Sequence, residues 1–296
     1  EQMRAYAPEV LDSFRRLART GCVEFLAETY SHSLASLSSK EDFMQQVALH
    51  TELMKKEFGV APTAFRNTEL IYSDRIGSDV AEMGFKTMLA EGARHVLGWK
   101  SPGYVYANAL DQRLRLLLRN YKLSDDIAFR FSNFMKALVP AVLKREGLEF
   151  ATVSEAAAKY QPVAVLHCPH VMSWADEERD ITAWLGNELQ NEAFGKLYAL
   201  RDKIARLKDP DFDHVWNFMQ ASDHFYYMAT KWLSDGDVHA YFNPYESSYD
   251  AFINYMNVLS DFEIEVEKAF DRKPPVRKTK PSPRKKGSDR EKAGVR

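Results

Sequence analysis

The sequence predicts an α/β fold of barrel type, followed by a helical region. Three observations carry this. Short apolar runs alternate with helical-period segments over residues 1–172, the pattern of strands crossed by helices. The polar clusters follow the apolar runs, where the active-site loops of such barrels lie. Beyond Ser173-Trp174-Ala175-Asp176 the alternation stops and three long helical patterns remain, over 173–271. Residues 272–296 form a basic tail rich in Pro, Lys, Arg and Ser, the composition of a disordered extension.

In chain order, Met3, Tyr6, Val10, Leu11, Phe14 and Leu17 recur at helical spacing, and Gly21 ends that helix. Residues 22–27 read as a strand, followed by Glu28, Thr29, Tyr30, Ser31 and His32. Ser38-Ser39-Lys40-Glu41 fits a capping box, and Gly59 closes the helix it opens. Residues 65–72 read as the next strand, 76–83 as a short helix, 85–89 as a strand. An aromatic loop (Trp99, Tyr104, Tyr106) precedes an apolar strand at 114–118. Residues 134–145 are an amphipathic helix, and 150–153 and 163–166 short strands. Thr152 and Glu155 suit a capped helix running to Tyr160. Helices are expected at 184–207, 215–233 and 252–270.

Composition bounds the function. The 296 residues are 45% hydrophobic and 12% aromatic, enough for a large core. The net charge of −2 conceals an asymmetry: the tail holds eleven Lys or Arg and two acids, so the rest of the chain carries −11. An acidic body argues against nucleic-acid binding by the folded part. Two distant cysteines, Cys22 and Cys168, make neither a disulfide framework nor a zinc pattern. His167-Cys168-Pro169-His170 lacks a fourth spaced ligand, so a metal there is not expected. No apolar run reaches a membrane-spanning length and no signal peptide is visible, so a cytoplasmic location is expected.

Phe65-Arg66-Asn67-Thr68-Glu69-Leu70-Ile71-Tyr72-Ser73-Asp74 carries the chemistry. Apolar residues flank a polar centre, which suits a buried strand delivering a carboxylate into a cleft. Arg66, three residues before Glu69, can help to hold that carboxyl ionised. A positioned carboxylate is what a covalent glycosidase requires as nucleophile. An ordinary strand-end ion pair fits the same residues.

Six segments in order resemble the α-amylase-type members of glycoside hydrolase family 57. They are GCVEFLAETYSH (21–32), FRNTELIY (65–72), LSDDIAFRF (123–131), SWADEERDITAWLGNELQ (173–190), SDHFYYM (222–228) and YFNPYESSYDAFINYMN (241–257). The resemblance implies an incomplete (β/α)7-type barrel with a C-terminal helical subdomain that completes the cleft. It implies a retaining reaction on α-glucans such as starch, glycogen or maltodextrins, with no metal or organic cofactor. It makes Glu69 the nucleophile and His32 a cleft residue, and it places Trp174, Asp176 and Trp184 near bound sugar. Trp99, Asp223, Glu24 and Arg66 complete the expected substrate-binding set.

The chain departs from the family pattern twice. No His-Gln-Pro motif precedes Gly21, so the front of the barrel is expected to be missing. The Asp-Tyr-Glu-Thr-Phe-Gly stretch that supplies the general acid/base is also absent. Asp125, with Asp126 beside it, is the candidate substitute, and a helix cap explains the same residues. Three readings stay open: a turning-over glycoside hydrolase, a catalytically inactive α-glucan-binding relative, and a truncated fragment.

Overall fold

A computed structural model of the chain describes residues 2–129, 131–231 and 242–272, with residues 126–129 and 131–135 described by backbone alone. The tail from Lys273, the side chain of Asp126, and Trp232 and Tyr241 of the expected helical region lie outside the described residues.

Six strands form one sheet: β1 (Leu26–Ala27), β2 (Ala64–Arg66), β3 (Thr87–Glu91), β4 (Val105–Asn108), β5 (Arg115–Arg119) and β6 (Ala164–Leu166), in the order β1-β2-β3-β5-β4-β6. β1, β2, β3 and β5 run parallel, with Ala27 opposite Phe65, Arg66 opposite Leu89 and Glu91 opposite Arg119. Their C-terminal ends therefore deliver Glu28, Glu69, Glu91 and Arg119 to one edge.

The run of parallel strands breaks at β4, which pairs antiparallel with β5, while β6 runs parallel to β4. The cause is the short link at 109–114, too few residues for the dozen or more of a parallel crossover. Asn108 closes that link. Its Oδ1 accepts from the amides of Leu110 (2.9 Å) and Asp111 (2.7 Å).

The helices on and around the sheet are α1 (Gln2–Tyr6), α2 (Pro8–Thr20), α3 (Lys40–Phe58), α4 (Asp74–Glu82), α5 (Arg94–Leu97), α6 (Tyr121–Phe129), α7 (Phe131–Lys144) and α8 (Val153–Lys159). Ser39, not Ser38, caps α3 by accepting from the Asp42 amide, and Gly59 ends it at φ +73°. The expected first helix is split at Ala7 by Pro8. Of its apolar residues only Leu11 is buried.

Residues 150–153 are not a strand. Thr152 caps α8 in a complete capping box with Glu155. α8 lies across the N-terminal ends of the strands. Ser154 donates from backbone and side chain to Glu24, and Arg115 reaches the Ala157 carbonyl.

The expected helix at 184–207 is three helices: α9 (Thr182–Leu185), α10 (Glu188–Ala199) and α11 (Arg201–Leu207). Asn187 breaks the run and caps α10, accepting from the Gln190 amide at 2.9 Å. α12 (Pro210–Met219) and α13 (Ser222–Tyr226) follow, then a long helix Ser248–Arg272. A continuous apolar core links sheet residues such as Phe65, Met88 and Leu116 to helical ones such as Leu197, Phe225, Leu259 and Val266. Each large side chain so buried contributes about 1.5–3 kcal/mol.

Two backbone junctions bring later segments to the strand-end edge. Tyr72 and Met172 exchange hydrogen bonds of 2.8 and 2.9 Å, and the Ser222 amide donates to the His32 carbonyl at 2.9 Å. No described helix is long and apolar enough to cross a membrane.

Candidate active site

Glu69 lies in a 3-10 turn, Thr68–Leu70, rather than in the strand expected at 65–72. β2 ends at Arg66, and the backbone turns left-handed at Glu69 (φ 56°) and Leu70 (φ 51°). Of six non-glycine residues with positive φ among those described, five belong to this region: His32, Glu69, Leu70, Asp176 and Arg179. Such conformations cost of order 1–3 kcal/mol each and persist where surrounding contacts fix them.

Those contacts converge on the carboxylate of Glu69, whose side chain is 6% exposed. Oε1 accepts from Ser222 Oγ (2.9 Å) and meets His32 Nε2 (3.1 Å), and Oε2 accepts from Trp174 Nε1 (2.6 Å). Burial pushes this carboxyl up. The His32 cation and the Trp174 and Ser222 donors outweigh it, and Glu69 is held below its ordinary value.

His32 is bracketed by carboxylates. Nε2 faces Glu69, and Nδ1 lies 3.3 Å from Glu28 Oε1. Burial lowers His32, but the two carboxylates overcome that and raise it to about 10. Arg66 does not pair with Glu69 as its sequence position suggested. Its guanidinium lies 3.9 Å from Glu28 Oε2 instead.

Trp174 sits at the start of a tight loop. The Arg179 guanidinium donates to the Trp174 carbonyl, and the Ser173 hydroxyl to the Asp180 carbonyl. Asp176, on the same loop, pairs with Lys231 Nζ at 2.9 Å.

A second charged group occupies the ends of β3 and β5. The Glu91 side chain is fully buried. It accepts from Arg119 Nε (2.6 Å) and from the Gly92 amide (3.0 Å). Arg119 Nη1 also reaches Asp125 Oδ1 at 3.3 Å. Burial pushes Glu91 up against the opposing pull of Arg119.

The structure thus gathers Glu69, His32 and Trp174, with Arg66 one carboxylate removed. Asp125 belongs to the Arg119 group. Glu24 lies at the opposite end of the sheet, accepting from Thr63 and Ser154. Trp99 is 93% exposed, whereas Trp184 is fully buried, its ring 6.1 Å from Tyr226. Asp223 lies in the first turn of α13, one residue past the contact that Ser222 makes. Ser222 is not among the residues that the sequence singles out, although the SDHFYYM segment contains it, and Glu28 stands there only as a member of the polar cluster after the strand at 22–27. The i, i+4 spacing of Glu28 and His32 was the available signal.

A family model described as "Glycosyl hydrolase family 57" matches residues 1–215. A protein of Methanocaldococcus jannaschii named "Putative alpha-amylase" is 35% identical over 324 aligned positions, covering 90% of this chain and 69% of that one. Among solved structures, a GH57-type branching enzyme from Pyrococcus horikoshii superposes with a TM-score of 0.64 at 14% identity, over 91% of this chain and 70% of that chain. The 4-alpha-glucanotransferase of Thermococcus litoralis gives 0.62 at 13% identity, over 76% of this chain and 47% of the other. The two solved structures share the fold with this chain at low identity.

Proposed function

The chain belongs to glycosyl hydrolase family 57, and from that premise we propose that it acts on α-1,4-glucans such as starch, glycogen or maltodextrin by a retaining mechanism, with Glu69 as nucleophile. The observation that carries the reading is the buried Glu69 carboxylate, ionised and fixed by three donors. A nucleophile must be charged and aimed, and left-handed backbone, imidazolium, indole and hydroxyl accomplish both. The carboxylate attacks the anomeric carbon as the glycosidic C–O bond breaks, the leaving oxygen taking the bonding pair and a proton from the second carboxyl. Water or a sugar hydroxyl then resolves the glycosyl-enzyme and gives its proton back to that carboxyl. Related folds named as a branching enzyme and a glucanotransferase fit a shared intermediate that differs only in its acceptor.

In this reading residues 1–172 form an incomplete (β/α)7-type barrel and 173–271 a helical subdomain completing the cleft, working in the cytoplasm. Ser222 and Trp174, from the later segments, are contributed to the nucleophile on that account. Trp99, Asp176, Asp223 and Arg66 are then subsite or supporting residues, whereas Glu24, at the opposite end of the sheet, and Trp184, fully buried, do not touch sugar. Asp125 is the second carboxyl, 40% exposed at its side chain.

A second reading is favoured by the Arg119–Asp125 ion pair, which occupies that carboxyl. It is α-glucan binding without turnover. Reducing-sugar release from maltoheptaose and soluble starch separates the two when measured on the chain and its Glu69→Gln variant. Turnover that vanishes in the variant supports the enzyme. Turnover unchanged in the variant removes Glu69 from the role. No turnover in either, with calorimetric binding of maltoheptaose, supports the binding reading.

A further inference from the structure

We propose that Glu28 is a positioning residue for Glu69: it grips Nδ1 of His32, so that Nε2 presents a cationic N–H to Glu69 Oε1. The proposal rests on the reading of Glu69 as nucleophile and adds a residue to it.

The argument is one of donors and acceptors. A neutral imidazole has one N–H and one lone pair, so between two carboxylates it would leave a lone pair facing an anion. His32 stands between two: Glu28 Oε1 at 3.3 Å from Nδ1 and Glu69 Oε1 at 3.1 Å from Nε2. Only the imidazolium satisfies both. The left-handed backbone at His32 (φ 51°) allows the ring to reach back to Glu28, four residues earlier, while facing Glu69.

Glu28 is itself anchored. Arg66 lies 3.9 Å from its Oε2, and its amide points at His50 Nδ1 at 3.4 Å. Among the described residues, the titratable groups around the ring are therefore Glu28 and Glu69, with Arg66 and His50 behind Glu28. From the helical side, Ser222 Oγ meets Glu69 as a neutral donor, and Asp223 is the next charged residue on α13. An acid that orients a histidine, which in turn acts on the reacting group, is familiar in Ser-His-Asp sites, where the histidine is a base. Here its task is to stay charged and hold an anion.

The test uses the full chain labelled with ¹⁵N in its histidine rings, His32 being identified by the signals lost in His32→Gln. In the parent chain, both His32 ring nitrogens should keep imidazolium shifts to above pH 8. In Glu28→Gln the titration should move down by about one pH unit, roughly a tenfold loss of proton affinity. Glu28→Asp, which keeps the charge and shortens the reach, should fall between. A titration unchanged in Glu28→Gln, or a neutral ring at pH 7 in the parent chain, overturns the proposal.

A second readout isolates the nucleophile. With 5-fluoro-α-D-glucosyl fluoride, a Glu69 oxygen bonds to the anomeric carbon as the C–F bond breaks. Fluoride leaves with the bonding pair, so no acid is required. Mass spectrometry follows the adduct against pH. Labelling in Glu28→Gln should fail at a pH about one unit lower than in the parent chain. Identical profiles overturn the role of Glu28 while leaving Glu69 as nucleophile. No adduct in the parent chain at any pH removes the nucleophile, and the proposal with it.

Discussion

Trp174 holds Glu69 at both ends. Its amide donates to the Glu69 carbonyl at 3.2 Å, and its indole Nε1 donates to the Glu69 carboxylate at 2.6 Å. One residue from the loop after β6 thus fixes the backbone and the charge of a residue in the turn after β2. The Arg179 guanidinium on the Trp174 carbonyl keeps that loop in place.

Trp174→Phe should therefore lower turnover without unfolding the chain. The ring is retained and one hydrogen bond to a charged acceptor is lost. Such bonds are worth about 1.5–3 kcal/mol, or roughly 10- to 150-fold in rate if fully expressed in the reaction. The measurement is kcat on maltoheptaose beside a thermal melt. A melt unchanged and a kcat unchanged would deny the indole its role.

Ser222→Ala tests the helical side of the site. Ser222 is buried, and its Oγ donates to Glu69 Oε1 while its amide holds the His32 carbonyl. Alanine keeps the amide bond and removes the hydroxyl. The expected loss in kcat is about tenfold, with stability lowered by about 1 kcal/mol. A rise in KM alone, with kcat intact, would place Ser222 in sugar binding instead.

How much of this was legible beforehand follows from the range of each interaction. The strand at 114–118, the capping box at Thr152 and the carboxylate at Glu69 rest on local patterns, and the sequence carries them. The reversal at β4 depended on counting a link of six residues, 109–114, that looked like a loop within an alternating run. The split of the expected helix at 184–207 came from Asn187, a residue whose cap competes with the helix interior. Ser222 was unreadable because its partner lies 153 residues away. Nothing local distinguishes it from Asp223, which helical geometry turns about a hundred degrees away. The Arg66–Glu69 pair conflicts with the strand reading itself, since residues three apart in a strand face opposite sides, and Arg66 stands beside Glu28.

The His32 cluster makes stability depend on pH in the alkaline range. His32 is raised to about 10 in the fold from an ordinary 6.5. Between those values the native chain binds a proton that the unfolded chain has released, so stability falls as pH rises. The contribution is complete below about 6.5 and lost through about 10. Urea unfolding at pH 6, 8 and 10 should show a decline in the parent chain that His32→Gln reduces. Parallel curves for the two would place the cation elsewhere.

The Glu91–Arg119 pair sets the last prediction, and its sign depends on pH. Glu91 is fully buried, and Arg119 Nε at 2.6 Å is its nearest charge. Arg119→Met leaves a buried carboxylate beside the Gly92 amide with that partner gone. Breaking such a pair costs about 3 kcal/mol at neutral pH. Burial already pushes Glu91 up, and loss of the guanidinium pushes it further. A carboxyl raised in the fold takes up a proton there before the unfolded chain does. The penalty should therefore shrink as pH falls from 8 to 5. The double variant Arg119→Met with Glu91→Leu should recover most of the stability at pH 8, since an apolar pair in the same space carries no desolvation cost. Unfolding of all three chains in urea at pH 5 and pH 8 checks this. A penalty that stays constant with pH would mean that lost packing of the Arg119 stem, rather than the charge on Glu91, causes it.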